Sequence, residues 1–456
     1  MPEITQRDWR TNRILRWFLG LRSSQMVLTS FLLLIALGTL LFYLPWSTEE
    51  GHGLCLLDAF FMATSASCVT GLTVMNVDSE LTAFGKVVLF FLMQLGGVGM
   101  MALGTFLAVF LGARLHLRDR IVLQESLNQG TVGGIIHSAL AMVSYTIGIE
   151  LFFAALFAVY FWDTLGWHGI AYGVFHAAST FCNAGFDIVG DFSEISKNGS
   201  DAFVLLGTAL PILLGGLGFK VLEEVWRVRR FSRFSLHTKL VLVTSFLLVV
   251  LGTVVVFLFE ARNGLTLGSI PPNDKLLNAF FMSVSSRTGG YASFDVAGAR
   301  PGTLLFFCLM MFVGASPAST GGGIKTTTFA VILLTCWSVL RGQRDAVIFG
   351  RTITPEIRAK ALTVFVIGAL WLSFAFNLLV IFDDGAHSVL YVLFETLAAF
   401  STGFGLGITT EWGTPEKLVL IATMLVGRVG ILTFMLSIVE QKAQRIKYPS
   451  ESIIIG

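Results

Sequence analysis

The apolar residues of this chain fall into stretches of membrane-spanning length. A bilayer core of about 30 Å takes roughly 20 apolar residues as helix. Such stretches run over Met26–Leu44, Val87–Leu111, Ser138–Trp162, Ala202–Phe219, Leu240–Phe259, Thr303–Leu340, Ala361–Phe382 and Leu418–Val439. Charges inside them are confined to Glu150, Lys325, Arg428 and, at one rim, Lys220. The sixth stretch is too long for one helix and carries Ala315-Ser316-Pro317-Ala318-Ser319-Thr320-Gly321-Gly322-Gly323 at its centre. A proline that removes a backbone donor and three successive glycines disfavour helix, so this span is expected to break within the membrane. Four further apolar stretches, Leu54–Val69, Ile170–Cys182, Leu276–Ser286 and Ser388–Phe400, are too short to cross and suit segments that dip in and return. The pattern predicts an all-α integral membrane protein of eight transmembrane helices, in four repeats of helix, dipping pore helix and helix.

The repeats are expected at residues 26–111, 138–225, 240–340 and 361–440, between a polar segment at 1–25 and a tail at 441–456. Composition agrees: 54% of the 456 residues are hydrophobic and 13% charged, against roughly 25% charged in soluble domains. The first apolar run ends in Tyr43-Leu44-Pro45-Trp46 with no small-residue cleavage site, which reads as a retained helix. Basic residues concentrate before the first span, after the even-numbered spans (Arg227–Lys239 and Arg341–Lys360 among them) and in the tail. If every span crosses once, these share one side, and the positive-inside rule makes it cytoplasmic together with both termini. A net charge of +2 gives no reason to invoke nucleic acid. Five cysteines in apolar segments imply neither a disulfide framework nor a metal site. Seven scattered histidines and a lone intramembrane glutamate do not supply the convergent groups of an intramembrane enzyme, and no organic cofactor is expected.

The four dipping segments align without gaps on a glycine followed by a large apolar residue: Val69-Thr70-Gly71-Leu72, Asn183-Ala184-Gly185-Phe186, Thr288-Gly289-Gly290-Tyr291 and Ser401-Thr402-Gly403-Phe404. Ten residues before each glycine stands Phe61, Phe175, Phe280 or Leu393. Non-helical backbone at membrane depth is tolerated where it is buried or lines a water-filled cavity. Four such segments meeting on a pseudo-fourfold axis would present a ring of carbonyl oxygens, which replaces the hydration shell of a monovalent cation. Glycine permits the backbone angles that turn the carbonyls inward. Four copies in one register argue against simple helix packing. In the fourth segment Gly405 competes with Gly403 for the register. A second set, Gly96-Gly97-Val98-Gly99, Gly215-Gly216-Leu217-Gly218, Gly314-Ala315 and Gly427-Arg428-Val429-Gly430, either takes part in the same design or lets the even spans approach the axis.

These residues carry a resemblance over essentially the whole chain. The sequence resembles the membrane subunits (KtrB) of bacterial Ktr potassium-uptake systems, within the superfamily that includes TrkH and the plant HKT transporters. The specific marks are the four single-glycine segments and the run Gly314–Thr327. The resemblance implies a K⁺-translocating subunit of the bacterial inner membrane. It would be usually homodimeric, promoted by Na⁺ and gated by a KtrA-like cytosolic nucleotide-binding ring with RCK domains. Membrane lipid is the other expected partner. K⁺ would bind at Val69–Gly71, Asn183–Gly185, Thr288–Gly290 and Ser401–Gly403. The broken sixth span, Ala315–Gly323, would be the gate, with Lys325 and Arg428 beside it.

An alternating-access cation symporter also uses Gly-broken spans but predicts inverted repeats, whereas these repeats run parallel. A TrkH-like K⁺ transporter is the nearer alternative. Gly321-Gly322-Gly323-Ile324-Lys325-Thr326 imitates a nucleotide P-loop, but Ile324 replaces the glycine needed before the lysine. Arg428 is either a gate element or a static link to carbonyls freed by the break, and Lys325 either joins the gate or reaches the cytoplasmic rim. Glu150 suits a helix–helix hydrogen bond or an ion-coupling site. Arg287 is expected to pair with Glu395 or Asp295 with its head away from the axis. Asp187 and Asp295 fit either a cation-concentrating mouth or solvated loops, and His176 reads as a packed histidine.

Overall fold

The computed structural model describes residues 23–99, 135–190, 199–343 and 345–438. The terminal segments, the inner end of the second span and the connection after it lie outside the described residues. Each expected span and dipping segment within the described residues is helical. The first group is α1 (Ser23–Tyr43), α2 (Leu56–Cys68) and α3 (Ala83–Val98). The second is α4 (Ile135–Tyr160), α5 (Trp167–Cys182), α6 (Ala202–Leu217) and α7 (Phe219–Val228). The third is α8 (Leu236–Glu260), α9 (Lys275–Thr288), α10 (Pro301–Phe312) and α11 (Thr326–Leu340). The fourth is α12 (Pro355–Asp383), α13 (Val389–Ser401), α14 (Thr414–Val429) and α15 (Ile431–Ile438). Polar caps start several of them: Thr82 accepts from Gly85 N, Asp201 from Phe203 N and Val204 N, and Ser235 from Thr238 N.

Among the described residues, only α1, α4, α8 and α12 are long and apolar enough to cross a membrane unaided. The second span is interrupted in the second and fourth groups as well as in the third, where only the sixth span was expected to break; in the first group α3 ends at Gly99, the last residue described there. Gly99, Gly218 and Gly430 end α3, α6 and α14 with nearly the same backbone, φ 92, 92 and 86° and ψ 127, 141 and 132°. An L side chain rarely adopts those angles, so the final glycine of each Gly-Gly-x-Gly or Gly-Arg-x-Gly run ends the helix. At Gly218 the chain turns by 97° into α7. In the third group the interruption is the thirteen-residue stretch between α10 and α11, whose ends are joined by a bridge between Val313 and Ile324.

The helices close on themselves. Within each group the long helix packs on the short one, and contacts between groups run in a cycle: α3 on α5, α6 on α9, α10 on α13 and α14 on α2. The short helices form the centre of the core, where Phe61, Phe181, Phe281, Phe394 and Phe400 are almost wholly buried. Outside the ring, the connection after α11 forms a small hairpin pairing Val347–Ile348 with Arg351–Thr352. Phe349 at its turn stacks edge-on against Phe231, and the Lys239 ammonium lies over both rings.

Candidate functional site

The four short helices point their C-terminal ends, the negative ends of their dipoles, at one place. There the aligned glycines all adopt positive φ: 93° at Gly71, 73° at Gly185, 79° at Gly290 and 62° at Gly403. Space is tight as well. A Cβ on Gly71 would strike the carbonyl oxygen of Ala184, one on Gly290 that of Thr402 and one on Gly403 that of Thr70, while one on Gly185 would press on that of Gly289 at 3.2 Å. The carbonyls preceding the glycines thus form a closed cycle through the four groups. Gly403 occupies this cycle, whereas Gly405 lies against Leu72 and Glu395, which fixes the register of the fourth segment. The segments are not identical. α2 and α5 stop three residues before the glycine, with Val69 and Asn183 in left-handed conformation, while α9 and α13 continue one residue further.

Hydroxyl and carboxylate groups brace the ring from behind. Ser179 Oγ donates to Phe186 O at 2.8 Å and accepts from Phe186 N, and Ser285 repeats the arrangement on Tyr291. Tyr291 Oη also reaches across to Ser179 Oγ and Phe186 O at 2.7 and 2.9 Å, stapling the third segment to the second. Glu395, fully buried, accepts from Leu406 N at 2.8 Å and holds the strand beyond Gly403. This corrects the expected Arg287–Glu395 pair. Arg287 is 1% exposed, forms no ion pair among the described residues, and turns its guanidinium toward Gly216. Asp295, the other proposed partner, is exposed and accepts from Ala297 N. Asp187 is tucked against His176, 3.8 Å away, and accepts from Ile188 N and Val189 N. His176 itself is packed between Thr208 and Tyr172. Glu150 has a partner the sequence did not suggest: Gln94 Nε2 donates to it at 2.8 Å from α3.

Directly below the ring lies the stretch between α10 and α11, and Thr320 is its hub. Its amide donates to Gly215 O at 3.2 Å, its hydroxyl donates to Phe181 O at 2.9 Å and accepts from Asn183 Nδ2 at 2.6 Å. Its carbonyl accepts from Arg428 Nη1, while Arg428 Nη2 donates to Gly96 O and, at 2.8 Å, to Gly97 O. Ser316 N bonds to Gly216 O at 3.0 Å, and Phe219 N, at the start of α7, to Ala318 O at 2.9 Å. One loop of the third group is therefore tied to the second and fourth groups, and through Arg428 to the first. Gly321 meets Thr288, and Gly322 and Gly323 meet Ser401, so the loop abuts the ring segments. Lys325 Nζ turns back to Gly321 O at 2.8 Å instead of extending to the rim.

The second glycine set does two things. Its leading members make room for the short helices, since a Cβ on Gly96, Gly215 or Gly427 would fall on the carbonyl of Ser67, Phe181 or Phe400. Its final members break the helices, as described above. The recurrence of the run in three even spans was the available signal for both. The hub role of Thr320 and the Tyr291 staple had no sequence signal. Beneath the loop opens a chamber of about 530 Å³, bordered by the breaks at Gly97–Gly99 and Gly427–Gly430, by Pro317–Ser319, and by Lys325, Arg428, His237 and Lys360.

Apolar helices of spanning length closed around four converging segments define an integral membrane protein. A profile described as TrkH, cation transport protein, matches residues 19–448, and the chain belongs to that family. Among its relatives, the Ktr system potassium uptake protein B of Bacillus subtilis is 37% identical over 98% of this chain and 99% of its own length. The potassium/sodium uptake protein NtpJ of Enterococcus hirae is 34% identical over 95% and 97%. The resemblance to Ktr membrane subunits read from the sequence is thus borne out. The crystal structure of the potassium transporter TrkH from Vibrio parahaemolyticus shares the fold, with a TM-score of 0.71 at 20% identity over 96% of this chain and 86% of that one.

Proposed function

We propose that the chain is the K⁺-translocating membrane subunit of a Ktr-type uptake system, promoted by Na⁺. The observation that carries this reading is the closed cycle of carbonyls at Thr70, Ala184, Gly289 and Thr402, each followed by a positive-φ glycine packed against the next segment. These carbonyls, with their neighbours in Val69–Gly71, Asn183–Gly185, Thr288–Gly290 and Ser401–Gly403, would take the place of water around K⁺. The eight spans form four parallel repeats around a pseudo-fourfold pore, bounded as the sequence predicts, in the bacterial inner membrane with both termini cytoplasmic. The cycle of inter-group contacts supports that arrangement and gives no support to inverted repeats. One glycine per segment leaves fewer stacked sites than longer filters, so selectivity over Na⁺ should be moderate.

The loop Ala315–Gly323 is the gate, and Arg428 is the latch that holds it across the axis. The joined cytoplasmic connections around Phe231, Lys239 and Phe349 offer a basic platform to a separate RCK-type ring, and the assembled protein is a homodimer. A ring that pulls α11 outward would strip Thr320 of its four partners. The function is tested by expressing the chain, with and without such a ring, in a bacterium lacking K⁺ uptake. Growth at low K⁺ and ⁸⁶Rb⁺ accumulation are expected, and a folded, membrane-inserted chain that restores neither would refute the reading.

A further inference from the structure

We propose that Glu150 is a positioning residue for the second segment of the carbonyl ring, acting through Gln94 and Cys182; this rests on the K⁺-translocating reading above. Glu150 stands on the inward stripe of α4, in line with Val143, Thr146, Ala154 and Phe157, all of them buried. An ionisable side chain at membrane depth is costly and by default marks a functional place. Its contacts identify what it holds. Gln94 Nε2 donates to Glu150 Oε2 at 2.8 Å, pinning α3 of the first group against α4 of the second. The Cys182 thiol faces the remaining oxygen of each, 3.8 Å from Glu150 Oε1 and 3.7 Å from Gln94 Oε1. Gly97 completes the seat, since a Cβ there would come within 2.6 Å of Cys182 Sγ.

Cys182 is the last residue of α5, and Asn183–Gly185 of the ring follow it directly. The end of the short helix is thus seated in a socket made by two other helices, and Ala184 O, which enters the carbonyl cycle, stands only two residues beyond the seated thiol. Coordination by backbone carbonyls depends on where those dipoles point, so loosening the socket displaces one ring member and leaves the other three. Glu150 acts in the socket as a hydrogen-bond acceptor. An amide in its place can still accept from Gln94, whereas a methyl group cannot. None of the other three ring segments is named in this network, which makes its effect local to the second.

The test measures K⁺ uptake kinetics and K⁺/Na⁺ discrimination for the full chain with its ring, in a bacterium lacking K⁺ uptake, with rates normalised to inserted protein. Glu150→Ala should raise the KM for K⁺ about three- to tenfold, the change that the loss of one buried hydrogen bond corresponds to, and lower discrimination, while the maximal rate is largely kept. Glu150→Gln should restore most of both. Gln94→Leu should match Glu150→Ala, and the double variant should be no worse than either, because one contact is removed in all three. Unchanged KM and discrimination in Gln94→Leu and in Glu150→Ala would overturn the assignment, as would Glu150→Gln behaving like Glu150→Ala, or full additivity in the double variant. If Glu150→Ala does not insert, Gln94→Leu and Cys182→Ala read the same socket, and an unchanged KM in both overturns it. No uptake by the unaltered, inserted chain would instead overturn the reading on which this rests.

Discussion

Replacing Arg428 by Ala removes one of the loop's ties and leaves the others in place. Arg428 donates to the loop at a single atom, the Thr320 carbonyl, and spends its other guanidinium nitrogen on Gly96 O and Gly97 O. A hydrogen bond from a charged donor contributes about 1.5–3 kcal/mol, and about 1.4 kcal/mol is a factor of ten in an equilibrium. The seated loop should therefore lose roughly ten- to a hundredfold in its equilibrium against the displaced one. The bonds from Ser316 N to Gly216 O and Thr320 N to Gly215 O persist, as do those joining Thr320 to Asn183 and Phe181. The lower end of the range is expected, because in the unaltered protein a guanidinium parted from a displaced loop finds other partners, which reduces the net worth of the bond. In proteoliposomes without the regulatory ring, ⁸⁶Rb⁺ flux should rise about tenfold in Arg428→Ala and less in Arg428→Lys. Deleting Ala315–Gly323 removes every tie and should raise it further. A folded Arg428→Ala protein whose flux is unchanged and still depends wholly on the ring would show that Arg428 is a static link and that the gate lies elsewhere.

The breaks at the second glycine set can be graded by thermal unfolding in detergent. Gly430→Ala meets open space and should cost only the positive-φ backbone strain of about 1–3 kcal/mol, whereas Gly218→Ala also strikes Pro317 O and should cost clearly more; equal losses would contradict the close approach. Just beyond the C-terminal end of α12 His387 bonds Asp383 at 2.6 Å and Glu411 at 3.1 Å. The Asp383 hydrogen bond, then Glu411, raises its pKa above the ordinary 6.5. A raised imidazole pKa stabilises fully below the unfolded value and loses that contribution as pH rises through the folded one. The melting temperature should accordingly fall from mildly acidic to alkaline medium, and His387→Gln should flatten the dependence. Neutralising Arg229, Arg230 and Arg233 should weaken co-purification of the ring and make it more salt-sensitive; undiminished binding would leave these residues with topology alone.

Element existence was legible because lipid imposes it: the spans, the short helices and the break in the sixth span follow from apolar length, glycine and proline. The glycine register was legible because four copies agreed. Residue-level pairing was less so. Arg287 and Glu395 belong to adjacent groups and look complementary on paper, yet Glu395 is consumed by the backbone beyond its own glycine. Gln94 and Glu150 sit in different groups, and nothing along the chain brings them together before the cycle of helix contacts is closed. The breaks at Gly218 and Gly430 went unread because such a glycine run serves close packing and a positive-φ backbone equally well, and here it does both.

The central claim is that K⁺ is coordinated by the carbonyl cycle. Its most direct measurement is the KM for K⁺ uptake in four separate variants, Gly71→Ser, Gly185→Ser, Gly290→Ser and Gly403→Ser, each checked for membrane insertion and ring binding. The account predicts a raised KM in every one, because each added Cβ must displace a carbonyl of the neighbouring segment, together with poorer discrimination of K⁺ from Na⁺. Four correctly assembled variants with unchanged KM and unchanged discrimination would place K⁺ selection somewhere other than this ring.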